Sequence, residues 1–144
     1  MTITQLAEAV KTSINGADFT MAFTAVRVAV PEFKLKDMET LHVTVAPAEL
    51  DISMRSRGSD VHRMGVDIGV QIRPDDKSNA SIDPLVSFVT ELANHFSRLK
   101  LTANSETATW KSVGVEPVYD PATLREKNQF LSVIHLEYEV DRQC

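Results

Sequence analysis

The run Arg63-Met64-Gly65-Val66-Asp67-Ile68-Gly69-Val70-Gln71-Ile72-Arg73 decides the fold class. Met64, Val66, Ile68, Val70 and Ile72 recur at every second position, while Arg63, Asp67, Gln71 and Arg73 hold the other phase. A period of two belongs to a strand with one buried and one solvated face, the pattern of an antiparallel sheet. Working back toward the N-terminus, Leu41, Val43 and Val45 alternate, and then Leu50, Ile52 and Met54. The turn Arg57-Gly58-Ser59-Asp60 between alternating runs predicts a hairpin. At the other end, Phe130, Ile134, Leu136, Tyr138 and Val140 predict a closing strand.

Helical signals flank these strands. Thr2-Ile3-Thr4-Gln5 has the spacing of a capping box, Ile3, Leu6, Val10 and Ile14 follow at helical spacing, and Asn15-Gly16 supplies a stop. Asp83-Pro84 reads as a cap followed by a first-turn proline, opening a helix with Leu85, Phe88, Val89, Leu92, Phe96 and Leu99 on one stripe. Residues 74–81 before it are polar and unpatterned, and read as a loop. Asp120-Pro121 predicts a short helical turn reaching Lys127. Phe19 to Val30 is rich in β-branched and aromatic residues and ends at Pro31. Phe19, Met21 and Phe23 lie on one phase and Val26, Val28 and Val30 on the other, which calls for a bulge near Thr24-Ala25 or burial on both faces. Lys100 to Lys111 is Thr-rich, with Trp110 as its one large anchor. The expectation is one α+β domain over residues 1–144, a mostly antiparallel sheet of about five to six strands covered on one face by two or three helices.

Composition narrows the function. The 144 residues are 43% hydrophobic and 24% charged, an ordinary globular balance. No leader pattern opens the sequence, and the longest apolar stretch, 22–30, is interrupted by Thr24 and Arg27, so neither secretion nor a membrane span is expected. Cys144 is the single cysteine, so no intramolecular disulfide or thiolate zinc site is expected. A net charge of −5 argues against broad, non-specific grip on nucleic acid.

Catalytic patterns are missing where they would be sought. There is no Gly-x-Ser-x-Gly elbow, no phosphate-cradling glycine loop, and no histidine pair at metal-ligand spacing among His42, His62, His95 and His135. No cofactor is expected. Asp75-Asp76 reads as a solvated pair rather than a cation site. Two polar concentrations remain. Arg55, Arg57, His62 and Arg63 flank the hairpin tip, where guanidinium groups suit a phosphate or an acidic partner surface, or simply stand in solvent. Tyr119, Asp120 and Arg125 cluster around the short helical turn, where Asp120 caps and Tyr119 packs, with a subunit contact as the functional alternative.

The second half of the chain resembles the tail terminator (tail completion) proteins of long-tailed bacteriophages. The likeness lies in the order of parts: the strand Val66 to Ile72, an acidic loop, the helix from Asp83 to Leu99, a segment with Trp110, the stretch Pro117-Val118-Tyr119-Asp120-Pro121 through Phe130, and the closing strand to Val140. The resemblance implies a non-enzymatic assembly role. Such proteins form a hexameric ring on the tail tube, stop its polymerisation and present a docking surface to the head connector. The implied partners are copies of the chain itself, the tube protein and the head–tail connector protein, with DNA only as cargo through the lumen. The implied location is the virion tail or neck, after assembly in the host cytoplasm. Another head–tail connector component is the nearest alternative. A small ligand-binding or enzymatic domain, or a nucleic-acid-binding module using Arg55, Arg57 and Arg63, comes from a different class.

Overall fold

The computed structural model describes residues 1–21, 23–28, 41–74, 76, 78–103, 105–116, 118–127 and 129–143. The chain runs α1 (Ile3–Asn15), β1 (Ala25–Arg27), β2 (His42–Ser56), β3 (Ser59–Ile72), α2 (Asn79–Phe96), β4 (Leu101–Ala103), β5 (Glu106–Val115), α3 (Pro121–Lys127) and β6 (Phe130–Gln143). The class is α+β: a mixed, curled six-stranded sheet in the order β1-β2-β3-β6-β5-β4, a half-barrel accompanied by three helices. Among the described residues only β1 pairs in parallel, with β2; the other pairings are antiparallel.

The centre of the sheet follows from the alternation. Met64, Val66, Ile68 and Val70 of β3 lie opposite Tyr138, Leu136, Ile134 and Ser132 of β6, and all are buried. Ile72 is partly buried beside Phe130. Tyr138 keeps its ring in the core because its hydroxyl donates to the Leu99 carbonyl at 2.9 Å. Burial there pushes its phenol well above the ordinary value. Gln71, expected on the solvated phase, is buried, as is Thr44 on β2.

The helices start and stop for identifiable reasons. In α1, Thr2 accepts from the Gln5 amide and the Gln5 side chain accepts from the Thr2 amide, the reciprocal box read in the sequence. Leu6, Ala7, Val10 and Ile14 form its buried stripe. Helix α2 begins five residues before the expected Asp83-Pro84 start, so Pro84 lies inside it. Ser78 is its N-cap residue, and the Asp76 carboxylate accepts from both the Ser78 amide and hydroxyl. Burial of Ile82, about one turn ahead of Leu85, draws the extra turn into the helix despite the ladder bond that Pro84 cannot make. In α3, Asp120 accepts from the Ala122 amide and the Thr123 hydroxyl, as its capping position requires.

Two expectations change. Phe19, Thr20, Met21, Phe23 and Thr24 are not strand: Phe19 and Phe23 pack edge-to-face against Phe88 of α2, with centroids 6.3 and 5.3 Å from its ring. Aromatic burial against the helix wins over strand propensity there. The strand signal at Val30 and Pro31 lies outside the described residues. The phase switch occurs instead in β2, where Ala48 bulges between Pro47, opposite Val66, and Glu49, opposite Gly65. Before the bulge Val43 and Val45 face the core; after it Leu50, Ile52 and Met54 take that phase.

The buried faces of α1 and α2 join the inward strand residues in one hydrophobic cluster, with α1 against β1, β2, β3 and β4, and α2 against β5 and β6. Among the described residues no helix is long and apolar enough to cross a membrane. Phe88 is fully buried at the centre of this packing. Phe88→Ala is expected to destabilise the protein by about 3–5 kcal/mol, read from urea denaturation midpoints at unchanged m-value.

Candidate interaction surface

The β2–β3 hairpin is paired from His42 opposite Gln71 to Ser56 opposite Ser59. Its tip is held by a hydrogen bond between the Ser56 and Ser59 hydroxyls, 2.8 Å apart. β3 stays paired to β6 along its whole length, and the outer side of β2 is paired only at its base. There β1 pairs as far as Val45, and the Val45 carbonyl accepts from the Val28 amide. Two residues on, Pro47 presents its missing N–H to the same edge, where it costs no ladder bond. Beyond that point no strand lies along the outer edge of β2 among the described residues. On the other side of the sheet, β4 covers β5 only to Ala108, so the edge from Thr109 on is likewise unpaired among them.

The two faces of the hairpin differ sharply. On the phase shared with Met64 stand Leu50, Ile52 and Met54, which are 51%, 53% and 77% exposed. His62 sits on that phase as well, opposite Ile52 and Val140. On the other phase Asp51 faces Arg63, and Arg63 faces Glu139 across β6. Glu139 is the hub of that face. Its carboxylate lies 3.1 Å from Arg63 Nε, 3.2 Å from Lys111 Nζ and 4.0 Å from Arg55 Nη2, while Arg55 Nη1 lies 3.3 Å from Asp141. Partial burial disfavours the charged form of Glu139, but hydrogen bonds from Lys111 and Arg63 outweigh it and hold the carboxyl below its usual range.

Of the four residues read from sequence as a basic cluster, two meet at Glu139 and two stand apart. Arg55 and Arg63 are neutralised within the chain, His62 lies on the opposite face, and Arg57 stands in the turn without an ion-pair or hydrogen-bond partner among the described residues. Pairing rules explain it: strand neighbours point to opposite faces, so His62 faces away from the adjacent Arg63, while register brings Arg55 and Arg63 to the same carboxylate. Tyr119 stacks on Phe130 at 5.9 Å, Asp120 caps α3, and Arg125 is exposed on that helix. The Asp120 amide bonds the Leu131 carbonyl at the start of β6, while Arg55 meets Asp141 near its end. Along β6, at a strand rise of roughly 3.3 Å per residue, about 33 Å of strand separates the two candidate groups, so they do not form one site.

Sequence reasoning missed three features. One is the Glu139 hub itself. A second is a trough of about 610 Å³ on the charged face, where Gly65 contributes no side chain between Glu49 and Glu137, and Gly114 none beside His135. The third is His135, which sits between two acceptors, the Asp67 carboxylate at 2.5 Å from Nδ1 and the Glu116 carbonyl at 3.0 Å from Nε2. Both contacts call for a donor nitrogen, so the imidazolium fits best. Alternation in β3 and β6 does place Asp67 and His135 on outward phases, but only the register sets them opposite each other.

His95 behaves in the opposite way. Its Nε2 lies 2.8 Å from Ser13 Oγ, and its ring packs edge-on against Phe19 and Phe96. Burial lowers its pKa, favouring the neutral ring. A Ser–His contact is half of a hydrolytic triad, but among the described residues no carboxylate hydrogen-bonds the His95 ring. The pair ties α1 to α2. Nor does any group of three or more His, Cys, Asp or Glu residues among the described ones have the geometry to hold a metal ion.

His135 gains proton affinity on folding: burial opposes it, but bonding to Asp67 and Glu116 raises its pKa above 6.5. Its stabilisation is therefore complete below the unfolded-state value and is lost as pH rises through the folded one. The stability difference between the parent protein and His135→Gln is expected to be largest near pH ~5.5 and to shrink toward pH ~8. Urea denaturation across that range reads it, and Asp67→Asn should reduce the pH dependence.

Neither a protein-family model nor a curated protein matches this chain.

Proposed function

We propose that this protein is a structural subunit of a long-tailed phage tail, of the tail terminator kind, rather than an enzyme. In that role it forms a homohexameric ring that caps the tail tube, ends its polymerisation and offers a docking surface to the head connector. Its partners are copies of itself, the tube protein and the connector protein, with DNA as cargo through the lumen. It resides in the virion after assembly in the host cytoplasm. The reading takes the sheet to carry its helices on one face, leaving the charged face, the open edges and the hairpin for contacts.

The observation that carries the assembly role is the row Leu50, Ile52 and Met54. Single exposed apolar residues are ordinary on a protein surface. Three consecutive same-face positions on an unpaired edge strand are a different matter, because they form a contiguous patch beside a row of free backbone donors and acceptors. Left without a partner, such an edge invites uncontrolled pairing. A specific protein contact removes both liabilities together, since strand addition satisfies the backbone while the apolar row is buried. The tail assignment itself rests on the order of parts in the second half of the chain, and on Tyr119-Asp120-Pro121 through Phe130 in particular.

Light scattering over a concentration series, with and without tube subunits, tests the reading. A hexamer, or a ring that forms only on tube ends, is the expected result. A strict monomer that ignores tube subunits would overturn it and turn attention to the trough beside Gly65 as a ligand site. The double variant Ile52→Lys/Met54→Lys is expected to fold within about 0.5 kcal/mol of the parent, because both side chains are exposed, yet to weaken association roughly tenfold or more.

A further inference from the structure

The sheet leaves two stretches of edge open, and they run in opposite senses. One is β2 from Glu49 to Met54, between its two register shifts; the other is β5 from Thr109 to Val115, past the end of β4. Neither has a strand beside it on the outer side among the described residues. β2 runs antiparallel to β3, β3 to β6, and β6 to β5, so β2 and β5 point in opposite directions within one sheet. A second copy set beside the first without inversion therefore brings its β2 antiparallel to β5, with core face beside core face.

We infer that the open edge of β2 seats on the open edge of β5 in the next copy, joining subunits head to tail through one continuous sheet. The register that suits both faces sets Leu50 opposite Val113 and Ile52 opposite Trp110, with Glu49 opposite Gly114 and Asp51 opposite Ser112. It uses only the regular stretch of β2, and the bulge at Lys111 falls between the pairs made by Asp51 and Ile52. On the core face Leu50 and Ile52, exposed in the single chain, extend the half-buried row of Trp110 and Val113. Aliphatic and aromatic neighbours of this kind stabilise a strand pair. On the other face Gly114 and Ser112 leave room for the two carboxylates.

Charge selects a second copy as the occupant. Glu49 and Asp51 have no ion-pair or hydrogen-bond partner among the described residues. Around Glu139 the excess has the opposite sign: Arg55, Arg63 and Lys111 share two carboxylates, those of Glu139 and Asp141. Lys111 is the member of that group on β5, and its bulge carries it onto the charged face beside Asp51 of the next copy. An ammonium has three donors, so its contact with Glu139 leaves others for Asp51. Each copy gives one edge and receives one, so the contact is heterologous and repeats, and a rotation that closes makes it a ring. Both open edges are then covered, whereas a different protein seated on either would leave the other bare.

The joint rests on the assembly reading only for closure into a ring, and cysteine cross-linking separates the two. In a Cys144→Ser background, Glu49→Cys/Gly114→Cys is oxidised mildly, with and without tube subunits. Within one chain β3 and β6 lie between these positions, too far for a bond, and a Cβ at Gly114 meets nothing within 4 Å. The double variant should give a ladder of linked chains that ends at the ring. Each single variant should give none, and an equal mixture of the two singles should give linked dimers only. A double variant that stays unlinked under both conditions, or a single variant that links to itself, overturns the joint.

Sedimentation velocity reads the charge contact. Asp51→Lys, at an exposed position, should weaken association about fivefold or more, and Asp51→Lys/Lys111→Met should recover most of that loss. A hairpin merely loosened beside Arg63 would gain nothing from the change at Lys111. Association unchanged by Asp51→Lys, or not recovered in the double variant, also counts the joint out. Linked ladders that ignore tube ends leave the joint standing and remove the terminator reading. Rings on tube ends with no link in Glu49→Cys/Gly114→Cys do the reverse.

Discussion

Fourteen consecutive residue pairs, from Ser59 opposite Gln143 to Ile72 opposite Phe130, join β3 to β6 without a bulge. That register is the constraint on which the rest of the molecule hangs. A slip of one residue would turn Met64, Val66, Ile68 and Val70 out of the core and bring Arg63 and Asp67 into it, a loss no surface contact could offset. With the core phase fixed, the opposite phase follows. Arg63 must then stand opposite Glu139, and Asp67 opposite His135, so the salt-bridge hub and the histidine clamp are consequences of burying the aliphatic rows.

The strands on either side of this pair are less regular, and their irregularities place the surface features. Bulges at Ala48 in β2 and at Lys111 in β5 lie on the two flanks of the central ladder, and a further register shift falls at Arg55 near the hairpin tip. The first bulge changes the phase of β2, so Leu50, Ile52 and Met54 continue the core face into a region where they remain exposed. The second swings Lys111 onto the charged face, where it reaches Glu139. Between them Glu49, Gly65, Glu137 and Ser112 fall in one cross-sheet row, and the missing side chain of Gly65 leaves the floor of the trough open. A Cβ at Gly65 would lie 3.3 Å from that of Glu49, so the close approach of the two strands also favours glycine.

The hairpin combines features that edge strands normally keep apart. Pro47, the bulge at Ala48 and the charges at Glu49 and Asp51 resist indiscriminate pairing, as protected edges do. The apolar row beyond them does the opposite. Such a mixture selects a partner instead of excluding all of them, because only an edge with matching charges can approach the apolar positions. The same mixture links the fold to an assembly role without requiring a pocket.

By itself the sequence determined the local units: the Thr2–Gln5 box, the stripe of α2 from Leu85 to Phe96, the Asp120 cap and the alternating strands β3 and β6. Each is set by contacts within a few residues, by propensity, or by a short period that a single segment displays. The start of α2 and the fate of Phe19 and Phe23 went otherwise, because burial of Ile82 and packing against Phe88 come from outside the local window. The candidate site was legible only in composition: Arg55, Arg57, His62 and Arg63 were visible as charges, but not which face each would take. Tertiary structure alone decided that Arg55 and Arg63 are neutralised by Glu139 and Asp141, and that Leu50, Ile52 and Met54 stay exposed. Those outcomes depend on strand order and register between segments as far apart as Arg63 and Glu139, which are separated by 76 residues. Pairing at that separation is set by the fit of the whole core, not by any stretch of the chain read alone.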